Sequence, residues 1–396
     1  MTYTDVSAIL TDRDPEVTAR YTALVPLFES MRELFEILNK RRHRRGSIDF
    51  DLKEPEIILD DQGMVEAIIA AERKIAHRII EEFMLVANET VAQHLDQSDT
   101  PTLYRVHEPP DPVKVAQFEE FISTLGYKLT RSAEGAKPRD FQKLVERMRG
   151  TPEEKPIAFI MLRTMQKARY DPSNLGHFGL AADSYTHFTS PIRRYPDLVV
   201  HRTLRQARHG LVTPERRAEL TEDLPDAARH TSERERRADD AERELVQWKK
   251  VRFMADKVGD EFDGYITGVS AFGLYVELVE HFVEGMVHIS TMADDYYRFL
   301  EKAHVLKGEN TGKVYRLGDR VLVQVVKVDM ERRQIDLGIA EILDSVRRSE
   351  GNRGPRRSRA EPRREAPGRA ATPRTAAPPR RKQRPGRKER ASKRKP

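Results

Sequence analysis

Apolar residues in the first two thirds of the chain recur mainly with the period of an α-helix. The pattern predicts a core helix within residues 20–40 that runs into a basic cluster at 40–45. It also predicts a long amphipathic helix over 65–94 and, after a proline-rich turn, a further helix over 113–129. A polar, charge-alternating helix is expected over 232–254. This part of the protein is therefore expected to be mainly helical.

Two regions instead show the features of β-strands. Residues 47–62 alternate apolar and acidic positions with a break at Pro55, which predicts two short strands. From Val258 to Ile342, β-branched and aromatic residues form five short runs between glycine and charged turns, at 262–267, 273–278, 285–289, 321–328 and 334–338. Five such strands predict a small antiparallel barrel.

The composition excludes several classes of protein. The 396 residues contain no cysteine, so disulfides, thiolate metal ligands and cysteine nucleophiles are ruled out. No stretch approaches the roughly eighteen consecutive apolar residues that indicate a membrane helix, and the amino terminus has neither a basic start nor an apolar signal core. We therefore expect a cytoplasmic protein with no membrane partner.

The net charge of +6 conceals an uneven distribution of basic residues. Segment 347–396 holds 20 lysines and arginines against 4 acidic residues, which leaves 50 basic and 60 acidic residues in the rest of the chain. The segment has no aromatic or large aliphatic residue to bury, so we expect it to be disordered. Such a basic arm attracts phosphate chains by counterion release without reading their sequence. A purely solubilising tail is the alternative.

The most informative segments are GHFGL at 176–180 and YTHFTSPIRRYPDL at 185–198. The pair Ser190–Pro191 has the features of a helix start, which would place Arg193 and Arg194 in the first turn, and Pro196 then indicates a kink or a restart of the helix. Helix amino termini favour anions and arginine binds phosphate bidentately, so the segment suits a phosphodiester site. A structural role for these arginines is the alternative, and the residues alone do not decide between the two. The basic cluster at 40–45 likewise has two interpretations, either a solvated helix end that interacts with the helix dipole or an RNA-facing patch.

The segments 176–180 and 185–198, together called the signature segment, resemble the signature of the RNB family of exoribonucleases. Three further segments resemble the ribonuclease R type of that family in the same order: RRGSIDFD at 44–51, RIIEEFMLVAN at 78–88 and LYRVHEPPDP at 103–112. Four spaced matches make coincidence implausible. The resemblance covers residues 1 to about 345 of this chain.

The resemblance implies an α+β chain in four parts. Residues 1–210 would form the mostly helical later part of an RNB catalytic domain, and 211–257 a connecting helical segment. Residues 258–342 would form an all-β OB-fold barrel, and 343–396 a disordered basic tail.

The resemblance also implies an activity, the hydrolysis of RNA from its 3′ end to nucleoside 5′-monophosphates. In the family, magnesium is held by clustered aspartates early in the catalytic domain. The aspartates at 60, 61, 183 and 197 do not match that cluster, so its ligands are expected to be absent from this chain. We therefore expect the chain alone to lack substantial exoribonuclease activity. A truncated gene model, a split gene and a degenerate paralogue would each give such a sequence.

Site residues of the catalytic part follow from the same resemblance. Arg193 corresponds to the arginine beside the scissile phosphate, and Arg194 and Tyr195 are expected to contact RNA. An acidic residue of the 78–88 helix lies near the terminal nucleotide in the family. Glu81 and Glu82 both fit, and Glu82 is the residue we favour.

The barrel carries its own candidate binding face. Residues 258–342 resemble the S-one-type OB fold, in which exposed aromatic residues stack on the bases of a single strand and cations contact its phosphates. Five residues match the binding positions of that fold: Phe272, Tyr275, His288, Asp329 and Arg333. A single aromatic residue here would more often belong to the barrel core, because alternate side chains of each strand point inward. The joint pattern of the five positions is what indicates a binding face.

Two functions are consistent with the sequence. One is part of a processive, magnesium-dependent exoribonuclease, and the other is a non-catalytic RNA-binding protein derived from such an enzyme. Single-stranded or structured RNA is the expected partner of either, and the basic tail would serve contacts with the ribosome or with RNA-decay proteins.

Overall fold

The computed structural model describes residues 1–49, 55–131, 135–151, 153–301 and 304–351. Within these residues the predicted α+β class is confirmed, because helices dominate the chain up to Phe253 and a closed five-stranded barrel follows. The helices of the described residues are α1 Tyr3–Ser7, α2 Pro15–Arg20, α3 Val25–Arg45, α4 Ile75–Gln97, α5 Pro112–Thr124, α6 Pro138–Met148, α7 Glu154–Thr164, α8 Tyr195–Arg208, α9 Pro214–Phe253 and α10 Ala340–Gly351.

Two short two-stranded sheets accompany the helices. The strands β1 Pro55–Leu59 and β2 Val65–Ala70 pair antiparallel, as do β3 Tyr104–Val106 and β4 Arg169–Asp171. The prediction of a helix from residue 65 was wrong, because 65–70 form β2 and α4 begins only at Ile75. The reason is a tight turn in which the Asp60 carboxylate accepts hydrogen bonds from the backbone N–H groups of Gln62 and Met64.

The other early strand prediction has a mixed outcome. Residues 55–59 form a strand as expected, whereas 47–49 lack regular structure and 50–54 lie outside the described residues. The predicted helix at 232–254 is the later part of the 40-residue helix α9, whose start is capped by the Thr213 hydroxyl accepting from the Arg216 N–H.

The barrel forms from β5 Glu261–Ser270, β6 Gly273–Leu278, β7 Glu284–His288, β11 Arg320–Asp329 and β12 Gln334–Ile339, in the order β11-β12-β7-β6-β5. All five strands were predicted. The prediction of an antiparallel barrel was wrong in one respect. The strands β12 and β7, which close the barrel, pair in parallel.

An inserted sheet, which the sequence analysis did not predict, lies in the chain between β7 and β11. It consists of β8 Tyr297–Leu300, β9 Val305–Gly308 and β10 Val314–Arg316, paired antiparallel with β9 in the middle. After the barrel, α10 occupies 340–351, so it includes the first residues of the segment 343–396 that was expected to form a tail. Residues 352–396, where the rest of that prediction falls, lie outside the described residues.

One hydrophobic core joins the helical part to the barrel. Phe118 and Phe141 of the helical part, Met254 after α9 and Val276 inside the barrel belong to the same buried cluster and are each at most 1% exposed. The barrel is therefore packed against the helices and held in a fixed place relative to them.

Candidate active-site turn and RNA-binding face

The turn that carries Arg193 precedes helix α8 and does not belong to it. The backbone N–H groups of Arg193 and Arg194 donate to the carbonyl of Ser190 at 3.3 and 3.0 Å, and α8 begins at Tyr195. The prediction that Ser190–Pro191 starts the helix was therefore wrong. Pro196, which lies in the first turn of α8, also needs no intrahelical N–H partner, and this second proline marks the actual start.

A buried ion pair fixes this turn. The Arg194 guanidinium donates to both carboxylate oxygens of Asp197, at 2.9 and 2.8 Å, and Asp197 also accepts from the Ser190 N–H at 2.7 Å. The Asp197 side chain is fully buried. Arg194, predicted to contact RNA, is thus committed to the protein along one edge of its guanidinium, and its contribution here is to hold the turn.

Arg193 is held differently from its neighbour. It is exposed, and among the described residues no carboxylate pairs with its guanidinium. The flanking Ile192 is fully exposed and Tyr195 is 54% exposed. The turn therefore presents a free cation between an aliphatic and an aromatic side chain, a combination suited to a phosphate and the base or sugar next to it.

Glu82 and Glu81 lie in different environments on α4. Glu82 is buried, and its carboxylate accepts from Arg42 Nε at 3.1 Å for both oxygens and from Asn39 Nδ2 at 3.3 Å. Arg42 in turn donates to Ser47 Oγ at 2.9 Å. Glu81 is more exposed and pairs with Arg73. The carboxylate we favoured from sequence is therefore already bonded within the protein, and no described contact joins it to Arg193.

The basic cluster at 40–45 is divided between two roles. Arg42 joins α3 to Glu82, and Arg45 pairs with Glu89 at 2.5 Å while donating to the Leu180 carbonyl. Lys40, Arg41 and Arg44 are exposed. Part of the cluster thus joins α3 to α4 and to the signature segment, which the sequence alone did not reveal.

Neutral histidines and tyrosines of the segments 176–180 and 185–198 form a layer with Tyr170 of β4. His187 accepts from, or donates to, the Tyr170 hydroxyl at 2.8 Å, and the His177 and Tyr185 rings meet edge to face at 5.2 Å. Burial, followed by the charge of His107, lowers the pKa of His177 to about 3. Burial and then the charge of Arg194 lower the pKa of His187 to about 2. Both imidazoles are therefore uncharged at neutral pH.

Asn88 is a positioning residue that the sequence analysis missed. Its amide is buried, donates to the Tyr185 hydroxyl at 3.0 Å and accepts from the Phe188 N–H at 3.0 Å. The only signal in the sequence was an amide residue within the helical motif at 78–88. A buried amide with both groups bonded fixes the path of the chain between the histidine layer and the turn.

The barrel presents the expected aromatic residues on its surface. Phe272 is 68% exposed and Tyr275 is 38% exposed, whereas Leu274 between them is fully buried. Gly273 shapes this turn, because its φ of +147° and the Val287 carbonyl, which occupies the place a Cβ would need, exclude a side chain. His288 is exposed and pairs in register with Gly273.

Strand register extends this face into a row. Tyr275 pairs with Met286, Met286 with Asp336 and Asp336 with Lys327, which puts four side chains side by side across four strands. The Lys327 side chain is 63% exposed. An exposed ring and an exposed cation in one row match the stacking and phosphate contacts by which OB folds hold single strands.

Asp329 and Arg333 lie where the β11–β12 hairpin turns, beyond the Lys327 end of that row. Asp329 accepts from the Arg332 N–H at 2.9 Å and pairs with Lys327 at 3.4 Å. Arg333 pairs with Glu244 of α9 at 3.0 Å. The structure thus groups Phe272, Tyr275 and His288, while the other two predicted positions shape the hairpin and its contact with α9.

The described residues contain no clustered set of metal ligands. Across 1–49, 55–131, 135–151, 153–301 and 304–351 no three histidines or carboxylates are arranged to hold a metal ion. These residues therefore include no ready-made carboxylate cluster for the magnesium that the resemblance implies. No helix in these ranges is long and apolar enough to cross a membrane.

Comparisons with known proteins agree with both halves of the structure. Residues 1–210 match the RNB domain model and 255–340 match the S1 RNA binding domain model. The chain is 48% identical to ribonuclease R of Aquifex aeolicus over 344 residues, which cover 87% of this chain and 48% of the relative. It is 39% identical to ribonuclease R of Escherichia coli over 346 residues, 86% of this chain and 42% of the relative.

A solved structure shows the same fold. RNase R of Mycoplasma genitalium in complex with ribose-methylated single-stranded RNA superposes with a TM-score of 0.77 at 28% identity, over 85% of this chain and 52% of that one. The chain therefore spans about half the length of the relatives that it matches.

Proposed function

The chain belongs to the RNB family, and on that premise we propose that it forms the RNA-binding and charge-stabilising part of an exoribonuclease that releases nucleoside 5′-monophosphates from the 3′ end of RNA. The observation that carries this proposal is the exposed Arg193 guanidinium on a turn that Asp197 fixes by accepting hydrogen bonds from Ser190 and Arg194. A rigidly presented cation stabilises the charge that develops on a phosphate more effectively than a mobile one.

The roles of the chain's own residues follow from this arrangement. Arg193 contacts the scissile phosphate, and Tyr195 packs against the adjoining sugar or base. Arg194 and Glu82 hold the backbone of the site, Arg194 through Asp197 and Glu82 through Arg42. A magnesium ion in such an enzyme would supply hydroxide and charge neutralisation. We assign it no ligand among the described residues.

The barrel supplies the grip on the RNA strand upstream of the cut. Phe272 and Tyr275 provide stacking surfaces that accept any base, with His288 beside them and Lys327 at the far end of the row. The same proposal includes non-specific attraction by the basic segment 347–396, contacts of that segment with the ribosome or RNA-decay proteins, and a cytoplasmic location.

The test uses a chimaera in which this chain replaces the matching half of the Aquifex aeolicus enzyme. With 3′-labelled single-stranded RNA and magnesium, the chimaera should release labelled mononucleotides. Arg193→Ala should slow release by about 10²- to 10³-fold, the usual cost of removing a donor that stabilises developing charge. Arg193→Lys, which keeps the charge without the bidentate geometry, should recover part of the rate.

The chain by itself should bind the same RNA without degrading it. An Arg193→Ala chimaera as fast as its parent would refute the role of Arg193. A chimaera that folds and binds RNA but never degrades it would favour the alternative, a non-catalytic RNA-binding protein.

A further inference from the structure

The inserted sheet, β8–β10, has two faces of opposite character. Side chains of a strand alternate between faces, and the buried positions Tyr297 and Leu306 belong to the main hydrophobic core. The half-buried Phe299 and Tyr315 pack against that core from the same side. The sheet is therefore anchored to the barrel by one face, and the alternate positions form an outer face.

The outer face carries three exposed cations from three strands. Arg298, Lys307 and Arg316 are all exposed, and within the described residues none of them forms an ion pair. Lys313 of the adjoining turn, in contrast, pairs with Asp294 at 3.3 Å. The cations of the outer face are thus left free while their neighbour is neutralised.

The strand register sets two of these cations against each other. Arg298 pairs directly with Lys307 across β8 and β9, and Lys307 pairs with Val314 on β10, two residues before Arg316. Directly opposed side chains of an antiparallel pair have Cβ atoms about 5 Å apart, and like charges at that position destabilise the sheet. A bound polyanion would remove this repulsion, since its phosphates would lie between the cations.

Aromatic and aliphatic surface completes the face. Tyr296 is 70% exposed and precedes β8, two residues from Arg298, so it lies on the same side by alternation. Leu300, 39% exposed, follows Arg298 at the same spacing. The outer face therefore offers a ring and an aliphatic side chain on either side of a free guanidinium.

The acid next to Tyr296 in the chain does not neutralise these cations. The Asp295 carboxylate accepts from the backbone N–H groups of Asn310 and Thr311, at 3.1 and 2.6 Å, in the turn between β9 and β10. Within the part of the chain that the structure describes, Asp295 pairs with none of the three cations. Its charge is thus used to hold the turn.

We propose that the outer face of the inserted sheet is a second contact surface for single-stranded RNA, separate from the Phe272–Tyr275 face of the barrel. Arg298, Lys307 and Arg316 contact consecutive phosphates, and Tyr296 stacks on a base at the edge of the sheet. The chain connects the two surfaces directly, because β7 ends at His288 of the barrel face and only 289–296 separate it from the start of β8.

The inference rests on RNA being the ligand proposed above, and it is tested by the salt dependence of binding. The full chain and the variant Arg298→Gln/Lys307→Gln/Arg316→Gln are titrated with a 24-nucleotide single-stranded RNA at several salt concentrations. Each lost phosphate contact lowers the slope of log affinity against log salt by about 0.7, so the slope should fall by about 2. The melting temperature should stay the same or rise, because the opposed pair is removed.

The matched control is Lys114→Gln/Lys128→Gln/Arg149→Gln, which removes three exposed cations from the helical part. It makes the same change in net charge, and its slope should stay close to that of the unaltered chain. An unchanged slope in the sheet variant, or an equal fall in both triple variants, would overturn the inference. Loss of poly-glutamate binding by the sheet variant, with its RNA slope unchanged, would identify an acidic protein segment as the occupant instead.

A second comparison separates this surface from the barrel face. Phe272→Ala/Tyr275→Ala should weaken binding without changing the salt slope, since it removes stacking and no charge. If that variant binds normally while the sheet variant loses slope, the barrel proposal fails and the second surface stands. The reverse result would leave the barrel as the only contact surface of the two.

Discussion

Arg194 and Asp197 form a bidentate ion pair, with N–O distances of 2.9 and 2.8 Å, around a carboxylate that is fully buried. The same carboxylate accepts from the Ser190 N–H at 2.7 Å, so one side chain joins both ends of the turn that exposes Arg193. Two adjacent arginines thus do different work. Arg194 holds the turn through its pair with Asp197, whereas the Arg193 guanidinium has no carboxylate partner among the described residues.

Asp197→Ala should therefore destabilise the protein strongly. Removing one partner of a buried ion pair leaves the other charge uncompensated, which costs about 3–5 kcal/mol. Urea unfolding should show a loss of this size. Asp226→Ala, which removes an exposed pair with Arg229, should leave the free energy of unfolding nearly unchanged. Equal losses in the two variants would contradict the structural role of Asp197.

Glu82→Gln should also act on stability. Its carboxylate is buried and accepts from Arg42 at 3.1 Å, so neutralising it leaves the Arg42 guanidinium with only its 3.4 Å pair with the more exposed Asp49, at a cost of up to about 3 kcal/mol. Glu81→Gln is the matched control on the same helix, and its more exposed pair with Arg73 predicts a loss of about 1 kcal/mol or less. If Glu82→Gln instead keeps its stability and abolishes RNA turnover in the chimaera, Glu82 contacts the RNA directly.

The sequence predicted a helix or strand correctly where its pattern of residue types extended over enough consecutive positions. The five barrel strands were predicted because each is a run of at least five residues rich in β-branched and aromatic side chains between glycine or charged turns, as in 273–278. Residues 65–70 were assigned to a helix because their apolar positions continue into the helical period of α4. The inserted sheet was missed because its strands are three or four residues long, too short for a periodic signal.

The sequence predicted which residue types form the candidate site, but not the separate roles of Arg193 and Arg194. The motif at 185–198 identified two arginines, and nothing local distinguishes them. The Asp197 carboxylate pairs with Arg194, three residues before it. This pair depends on where α8 begins, and the sequence analysis had placed that start at Ser190–Pro191. Asn88 reaches Tyr185 across 97 positions of sequence, and a contact of that kind cannot be read from either segment alone.

The histidine layer predicts that stability falls as the pH is lowered from neutral. His177 and His187 have folded-state pKa values of about 3 and about 2, both depressed chiefly by burial. In the unfolded chain they would titrate near 6.5. Between those values the unfolded state binds protons that the folded state does not, so the stability present above about pH 6.5 is lost progressively towards pH 3.

The expected loss between pH 7 and pH 5 is about 2 kcal/mol for each histidine, at about 1.4 kcal/mol per pH unit below 6.5. Urea unfolding over this range measures it. His187→Gln keeps a polar partner for the Tyr170 hydroxyl and should reduce the pH-dependent loss by about 2 kcal/mol. The exposed His209→Gln controls for the substitution itself. Parallel profiles for the parent and His187→Gln would show that the layer does not govern acid stability.

Phe272→Ala and Tyr275→Ala should each weaken single-strand RNA binding by about 1–3 kcal/mol, the cost of losing one stacked base. Both side chains are exposed, so the free energy of unfolding should hardly change. Leu274 lies between them with its side chain fully buried, and Leu274→Ala should instead destabilise the fold by about 2–5 kcal/mol. Fluorescence anisotropy with a labelled oligonucleotide measures the first effect, and urea unfolding measures the second.

These three variants test whether outward-facing and inward-facing residues of the barrel have separate roles. If the barrel face binds RNA, binding and stability should separate between adjacent residues, with the outward positions affecting one quantity and the inward position the other. A folded Phe272→Ala/Tyr275→Ala double variant that binds with the parent's affinity would show that the exposed rings do not contact RNA. Since Gly268 lies against the Tyr275 ring, with its Cβ position 3.0 Å from that ring, Gly268→Ala should push the ring outward and weaken binding to a smaller degree.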